Sequence, residues 1–192
     1  MDWDNTQAAD RQLVLAALSN RNAYGAVVQR FEAPLRRYVR RLLGQEAGSA
    51  DDVLQNVFIK AYMNLNDYDP TRPFGPWLYR IAHNEAISHL RKLKSGPQPL
   101  PQADADAILE RIADPDDPAS LHGRKNATAQ LRRALDRLAP KYRDVLTLRY
   151  LEEQSYDEIS DILRLPPGTV ATLLRRGLDR LRQDFELRDE KT

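Results

Sequence analysis

The sequence contains no cysteine, so disulfide frameworks, thiolate metal sites and cysteine nucleophiles are excluded outright. Histidine is scarce too, and His83, His89 and His122 form no metal-ligand spacing, so neither a metal nor another cofactor is expected. No apolar run reaches the roughly 20 residues that cross a bilayer, and the mean hydropathy of −0.63 is far too polar for a membrane protein. The opening MDWDNTQAADRQ is acidic and lacks the basic leader and apolar core of a secretion signal. A cytoplasmic protein without membrane insertion is expected. An excess of one charge is also missing, with 29 Lys and Arg against 28 Asp and Glu and a net charge of +1. That excludes a protein that coats DNA by charge alone, since such domains usually have a pI above about 9.

What is present is helical periodicity. In 192 residues, of which 42% are hydrophobic, apolar positions recur at spacings of three and four, and no stretch alternates with period two. Leu13, Ala16 and Ala17 begin the pattern. Ala23, Ala26, Val27 and Phe31 continue it, followed by Leu35, Tyr38, Val39, Leu42 and Leu43. A helix over 51–65 is expected to start at an N-cap, Ser49, and to turn Val53, Leu54, Val57, Phe58, Ala61 and Tyr62 to one broad face. DYDPTRPFGP then forces a loop, because proline removes donors and disfavours the helical region for its predecessor. Helical spacing resumes from Trp77 to Lys94. Residues 95–126, with SGPQPLPQADADA and ADPDDPAS around one short possible helix near Ile108 to Ile112, read as an acidic, proline-rich linker. The expected architecture is all-α: two small helical domains, 1–94 and 127–192, the second with helices over 128–138, 142–151, 155–163 and 167–185. Residues 1–94 carry 13 basic and 10 acidic side chains, 95–126 carry 3 and 6, and 127–192 carry 13 and 12. Bases cluster locally, as in RRYVRR at 36–41, so local fields matter more than net charge.

In the second half, Ser155-Tyr156-Asp157-Glu158 is a capping box that fixes the start of a short helix. Pro166 and Pro167 stop that helix, and a proline in the first turn of the next one is tolerated. The product is a helix-turn-helix. On its second helix Val170, Leu173, Leu174, Gly177, Leu178 and Leu181 form an apolar stripe that packs on the preceding helices, opposite Ala171, Thr172, Arg175, Arg176, Asp179 and Arg182. A recognition helix lies in the major groove with its N-terminal residues at base edges, where Thr169, Thr172, Arg175 and Arg176 stand. Arginine there serves guanine or phosphate equally well, and a solvated face of a bundle would look similar.

In the first half, PFGPWLYRIAHNEAISHLRK places Phe74 on the loop, Trp77, Tyr79 and Arg80 just after it, and Asn84 one turn further on. Aromatics beside cations and an amide suit single-stranded DNA, where rings stack on bases and an amide bonds a flipped base edge. The same aromatics could equally be core, Trp77 above all.

The block ADDVLQNVFIKAYMNLNDYDPTRPFGPWLYRIAHNEAISHLRK, followed across the linker by LAPKYRDVLTLRYLEEQSYDEISDILRLPPGTV, resembles the bacterial sigma factors of the extracytoplasmic-function type in the sigma-70 superfamily. Both blocks stand in the family's order and at its separation. The resemblance implies a dissociable initiation subunit that binds the beta and beta-prime subunits of core RNA polymerase, reads the minus-35 element of promoter DNA and melts the minus-10 element. It assigns Asp51, Asp52, Gln55, Asn56 and Phe58 to polymerase binding, and Phe74, Trp77, Tyr79, Arg80 and Asn84 to minus-10 opening and base capture. Arg149, Tyr156, Thr169, Thr172, Arg175 and Arg176 fall to minus-35 reading, the first two as phosphate contacts. It also implies an anti-sigma factor as partner. The chain departs from the family at Arg164, where glycine is usual, at Pro166, where a serine N-cap is usual, and at Ala171, Leu173 and Leu178, where bases are common. Ser88 replaces a frequent aspartate.

Three other readings compete. A stand-alone helix-turn-helix regulator needs only the second half and leaves the 51–94 block unexplained. A protein-binding adaptor gains from Leu173 and Leu178 if exposed. An enzyme would have to start from His83-Asn84-Glu85, which matches the H-x-E of zinc deaminases but lacks the paired cysteines that complete such a site. No phosphate loop and no nucleophile, base and orienter set occur, so catalysis is not expected.

Overall fold

The structure, a computed structural model of the chain, describes residues 3–95, 130, 131 and 133–189. The expected linker, apart from Ser95, and its short helix near Ile108 lie outside the described residues, as does His122. Among the described residues there is no strand, and the all-α expectation holds.

The first half is a four-helix assembly. Helix α1 (Trp3–Ser19) leads through a short turn to α2 (Tyr24–Leu43), followed by α3 (Ala50–Met63) and α4 (Phe74–Ser95). The inner face of α1 centres on Val14 and Ala17, with Ala16 exposed, which moves the expected stripe by a fraction of a turn. On α2 the two expected apolar segments are one continuous helix, running through Pro34. Tyr24, Val27, Phe31, Leu35, Tyr38, Val39, Leu42 and Leu43 all point inward, whereas Ala26 is exposed. Gly44, with φ of 58°, ends α2 in a conformation that side chains rarely adopt. Ser49 occupies the cap position of α3, but its side chain caps nothing. Its backbone is already turned toward helical geometry (φ −88°, ψ 5°) by the tight turn before it. Arg30 to Asp10, at 2.8 Å, and Lys60 to Glu85 tie neighbouring helices at the surface.

Helix α4 begins at Phe74, three residues earlier than its spacing suggests. Pro76 read as a breaker, yet it falls in the first turn, where a missing N–H costs nothing. Asp69 organises the loop before it, accepting from both the backbone N–H and the hydroxyl of Thr71.

The second half contains α5 (residues 130–137, residue 132 not described), α6 (Pro140–Leu146), α7 (Tyr156–Leu163) and α8 (Pro167–Asp189). Helix α6 does not run on to residue 151 as a regular helix. It widens into a π-turn over Thr147–Leu151, closed by the Glu152 N–H on the Thr147 carbonyl at 3.0 Å. The α7 capping box forms as expected: Glu158 N–H donates to Ser155 Oγ at 3.2 Å, and Ser155 N–H to Glu158 Oε2 at 2.7 Å. Arg164 ends α7 in the left-handed region (φ 54°, ψ 46°), taking the conformation that glycine would otherwise supply. For a side chain this costs about 1 kcal/mol. The Pro166 carbonyl accepts from the N–H groups of Thr169 and Val170, opening α8 without a serine cap. Along α8, Val170, Leu174 and Gly177 are buried and Leu173 and Leu181 half-buried, but Leu178 is 38% exposed, at the edge of the expected stripe. No helix among the described residues is long and apolar enough to cross a membrane.

The two halves touch. Helix α7 lies along α4, and one contiguous set of buried side chains includes Leu78 and Ala82 on α4 together with Leu148, Ile159 and Ile162.

Candidate nucleic-acid interface

Three groups of residues carry the functional expectations, and the structure treats each differently. On α3, Val53, Leu54, Val57 and Ala61 turn to the core, which leaves Asp51, Asp52, Gln55 and Asn56 exposed on the outer face. Asp51 pairs with Arg36 of α2. Phe58 is half-buried against the core, and its carbonyl accepts from the Tyr24 hydroxyl at 3.0 Å. The outer face continues through Ile59, Tyr62 and Met63, the last 70% exposed. Sequence spacing counts Tyr62 with the buried face, whereas the structure sets it on this apolar ridge. The signal was available: Gln55, Ile59 and Met63 follow each other at spacing four, so they share a face.

The aromatic segment of α4 divides. Phe74 is 3% exposed and sits among the rings of Phe31, Tyr68 and Trp77, with centroids 5.5, 5.1 and 5.3 Å away. It starts a helix and fills the core, rather than standing on the loop. Trp77 is half-buried and, with Tyr68, Arg72 and Arg80, lines a cavity of about 300 Å³. Asn84 is exposed. Tyr79 is 6% exposed. Its ring leans on Tyr38 at 5.0 Å, and its hydroxyl donates to Glu152 Oε2 at 3.0 Å. Trp77, Arg80 and Asn84 fall on one side of α4 by their spacing of three and four, whereas Tyr79 and His83 fall on the side facing the second half. Partial burial draws the Arg80 pKa below its usual value, reinforced by the nearby Arg164.

On the second half, Thr169, Arg175 and Arg176 are exposed along α8. Thr172 is half-buried, and its hydroxyl donates back to the Gly168 carbonyl at 2.8 Å, as threonine often does inside a helix. Arg149 donates to the Gln154 carbonyl at 3.0 Å and lies over the exposed ring of Tyr156, 5.4 Å from its centroid. The guanidinium thereby holds the loop that leads into the helix-turn-helix.

Between the halves lies a small buried polar layer. Tyr38 Oη is 3.1 Å from His83 Nδ1, and His83 Nε2 is 4.0 Å from Asp144 Oδ2. Burial, helped by the Arg143 charge, pushes the His83 pKa down to about 4, so the ring is neutral near pH 7. Burial pushes Asp144 up to about 6 against the pull of Arg143, whose Nε lies 3.5 Å from Oδ1 without a hydrogen bond. A carboxyl whose folded pKa is raised costs stability above that pKa and stops costing it as pH falls below its unfolded value. Asp144→Asn should therefore stabilise the protein by about 1–2 kcal/mol near neutral pH, with the gain shrinking between about pH 6 and pH 4. Thermal melts of both proteins across that range test it, and a gain that grows on acidification would refute it. Among the described residues no group of metal-ligating side chains assembles.

Comparison with known proteins decides what this arrangement belongs to. Residues 27–96 match the family Sigma-70 region 2, and residues 128–181 match Sigma-70, region 4. The ECF RNA polymerase sigma factor SigW of Bacillus subtilis strain 168 is 34% identical over 182 residues, covering 88% of this chain and 91% of that protein. The chain belongs to the extracytoplasmic-function (ECF) sigma factors of the sigma-70 family. The ECF RNA polymerase sigma-E factor of Escherichia coli strain K12 is 32% identical, covering 82% of this sigma factor and 84% of that one. A solved structure of CnrH in complex with the cytosolic domain of CnrY superposes with a TM-score of 0.68 at 28% identity, covering 93% of this chain and 98% of CnrH. The sigma factor RpoE of Bartonella quintana, solved with the anti-sigma factor NepR, has the same fold, with a TM-score of 0.66 at 20% identity over 85% of this chain and 96% of that one. The protein is thus an RNA polymerase sigma factor.

Proposed function

We propose that residues 1–94 bind core RNA polymerase and open the minus-10 element, and that residues 127–192 read the minus-35 duplex. The observation that carries this division is the pair of outward faces. Asp51, Asp52, Gln55 and Asn56 lie on one side of α3, and Thr169, Arg175 and Arg176 line the start of α8, away from the core. Recognition helices present that end to base edges. Ile59, Tyr62 and Met63 extend the polymerase face with an apolar ridge of the kind that marks interaction sites. In the first half, Trp77, Arg80 and Asn84 are the residues placed to meet DNA. Phe74 and Tyr79 act from beneath, Phe74 by holding the cluster of rings that supports Trp77.

The protein is not an enzyme; the chemistry of initiation is the polymerase's. It acts in the cytoplasm, and an anti-sigma factor completes its partners, as membership of the class implies. The near-neutral charge suits a subunit that meets DNA only when polymerase holds it, because weak charge limits nonspecific binding.

Transcription in vitro with purified core polymerase on a library of genomic promoters tests the proposal. Promoter-specific transcripts should require this protein, and Asn84→Ala should reduce them about tenfold, the value of one polar base contact, while leaving minus-35 duplex binding intact. A library giving no transcript that depends on the protein, or transcripts indifferent to Asn84→Ala, would defeat it.

A further inference from the structure

The corner between α1 and α2 grips the last turn of α3. The short turn Arg21–Ala23 forms that corner, and Asn20 fixes it by accepting from the Asn22 N–H at 3.0 Å. From there Arg21 reaches Tyr62: a guanidinium N–H donates to the Tyr62 carbonyl at 2.8 Å, and the guanidinium carbon lies 4.6 Å from the centre of the Tyr62 ring. That carbonyl is among the last of α3, which have no partner inside the helix, and a positive charge is favoured at a helix C-terminus. Tyr24, the first residue of α2, meets the same ring edge-on with centroids 5.1 Å apart, and its hydroxyl donates to the Phe58 carbonyl one turn earlier at 3.0 Å. Tyr62 is thus held at its backbone and at its ring, although it is 38% exposed. A solvated tyrosine would otherwise exchange among its rotamers. None of the residues Arg21–Ala23 is buried, so the core does not explain the turn. Both Arg21 and Tyr24 precede residue 27, where the match to region 2 begins.

Resting on the reading of α3 as the polymerase face, we propose that Arg21 is a positioning residue for polymerase binding, acting through Tyr62 rather than by touching polymerase. Its guanidinium holds the end of α3 and the Tyr62 ring together, so the ridge of Ile59, Tyr62 and Met63 is already in the shape that docks. The freedom of the Tyr62 side chain is then lost on folding and not on binding. Freezing one such side chain at the moment of association weakens binding by about two- to tenfold. The corner before α2 thereby belongs to the interface, although it lies behind the face that makes the contact.

The test is competition for purified core polymerase. The full-length parent carries a dye through Lys92→Cys, at an exposed position in a chain with no cysteine of its own, and unlabelled variants displace it. Arg21→Ala should weaken binding about fivefold, while its melting temperature falls by only about 2–4 °C. Arg21→Lys still offers a donor to the carbonyl and a charge over the ring, and it should recover most of the affinity. The deciding measurement is a double-mutant cycle: with Tyr62→Ala already in place, Arg21→Ala should cost less than about twofold more. Parental affinity in Arg21→Ala overturns the proposal. So does a lysine variant as weak as the alanine one, or the same fivefold loss in the Tyr62→Ala background, which would make Arg21 a direct contact. Replacing Gln55, Asn56 and Met63 together by alanine checks the underlying reading. Undiminished affinity there would bring down the polymerase face itself, whereas a loss there with none from Arg21→Ala brings down only the role of Arg21.

Discussion

Replacing Arg175 and Arg176 together by alanine should weaken binding of the polymerase-bound sigma factor to minus-35 duplex by about 100- to 1,000-fold, since each arginine contact of this kind is worth roughly 1–3 kcal/mol. Both side chains are exposed on α8, opposite the buried Val170, Leu174 and Gly177, so the melting temperature should not change. Between Thr169 and Asp179 on α8 no other cation shares the load. A competition titration at fixed salt measures the loss. Repeating it across salt concentrations separates roles: two lost phosphate contacts flatten the salt slope by about 2, whereas base contacts leave it nearly unchanged. Undiminished affinity would remove α8 from the DNA.

Gly177→Val should cost about 3 kcal/mol and lower the melting temperature of the second half. Helix α8 passes so close to α6 that a Cβ at position 177 would lie 3.1 Å from Leu146 Cδ1, 3.3 Å from Leu146 Cγ and 3.4 Å from Tyr142 Cβ. A branched side chain cannot be admitted unless the helices separate, and they are held by the buried Tyr142, Val145 and Leu146. Gly168→Ala supplies the contrast: no atom lies within 4 Å of the added carbon. There only the helical preference of alanine remains, which stabilises by up to about 1 kcal/mol. Melting curves of the two variants should move in opposite directions. A valine variant that melts with the parent would show that the approach of the two helices is not what requires glycine.

What could be read from the sequence was whatever local spacing decides. The Ser155 to Glu158 box needs residues only three apart, and it formed as expected. The exposed arginines of α8 follow from period, as does the outward turn of Asp51, Asp52, Gln55 and Asn56 on α3, but Tyr62 does not: an apolar ring fits either side of the helix. Boundaries set by proline were harder. Pro76 falls in a first turn and Pro34 inside α2, two places where the same residue has different consequences. Burial of Phe74 and Tyr79 was not legible, because an aromatic ring suits a core as well as a nucleobase. Only the rings of Phe31, Tyr38 and Tyr68 arriving from elsewhere in the chain distinguish the two. The seam between the halves was the least legible feature. Arg41 and Glu152 are 111 positions apart and Tyr79 and Glu152 73, and no periodic pattern couples residues at such distances.

That seam also ties the stability of the two halves together. Leu78 and Ala82 of α4 share one set of buried side chains with Leu148, Ile159 and Ile162, so loosening either half exposes apolar surface of the other to water.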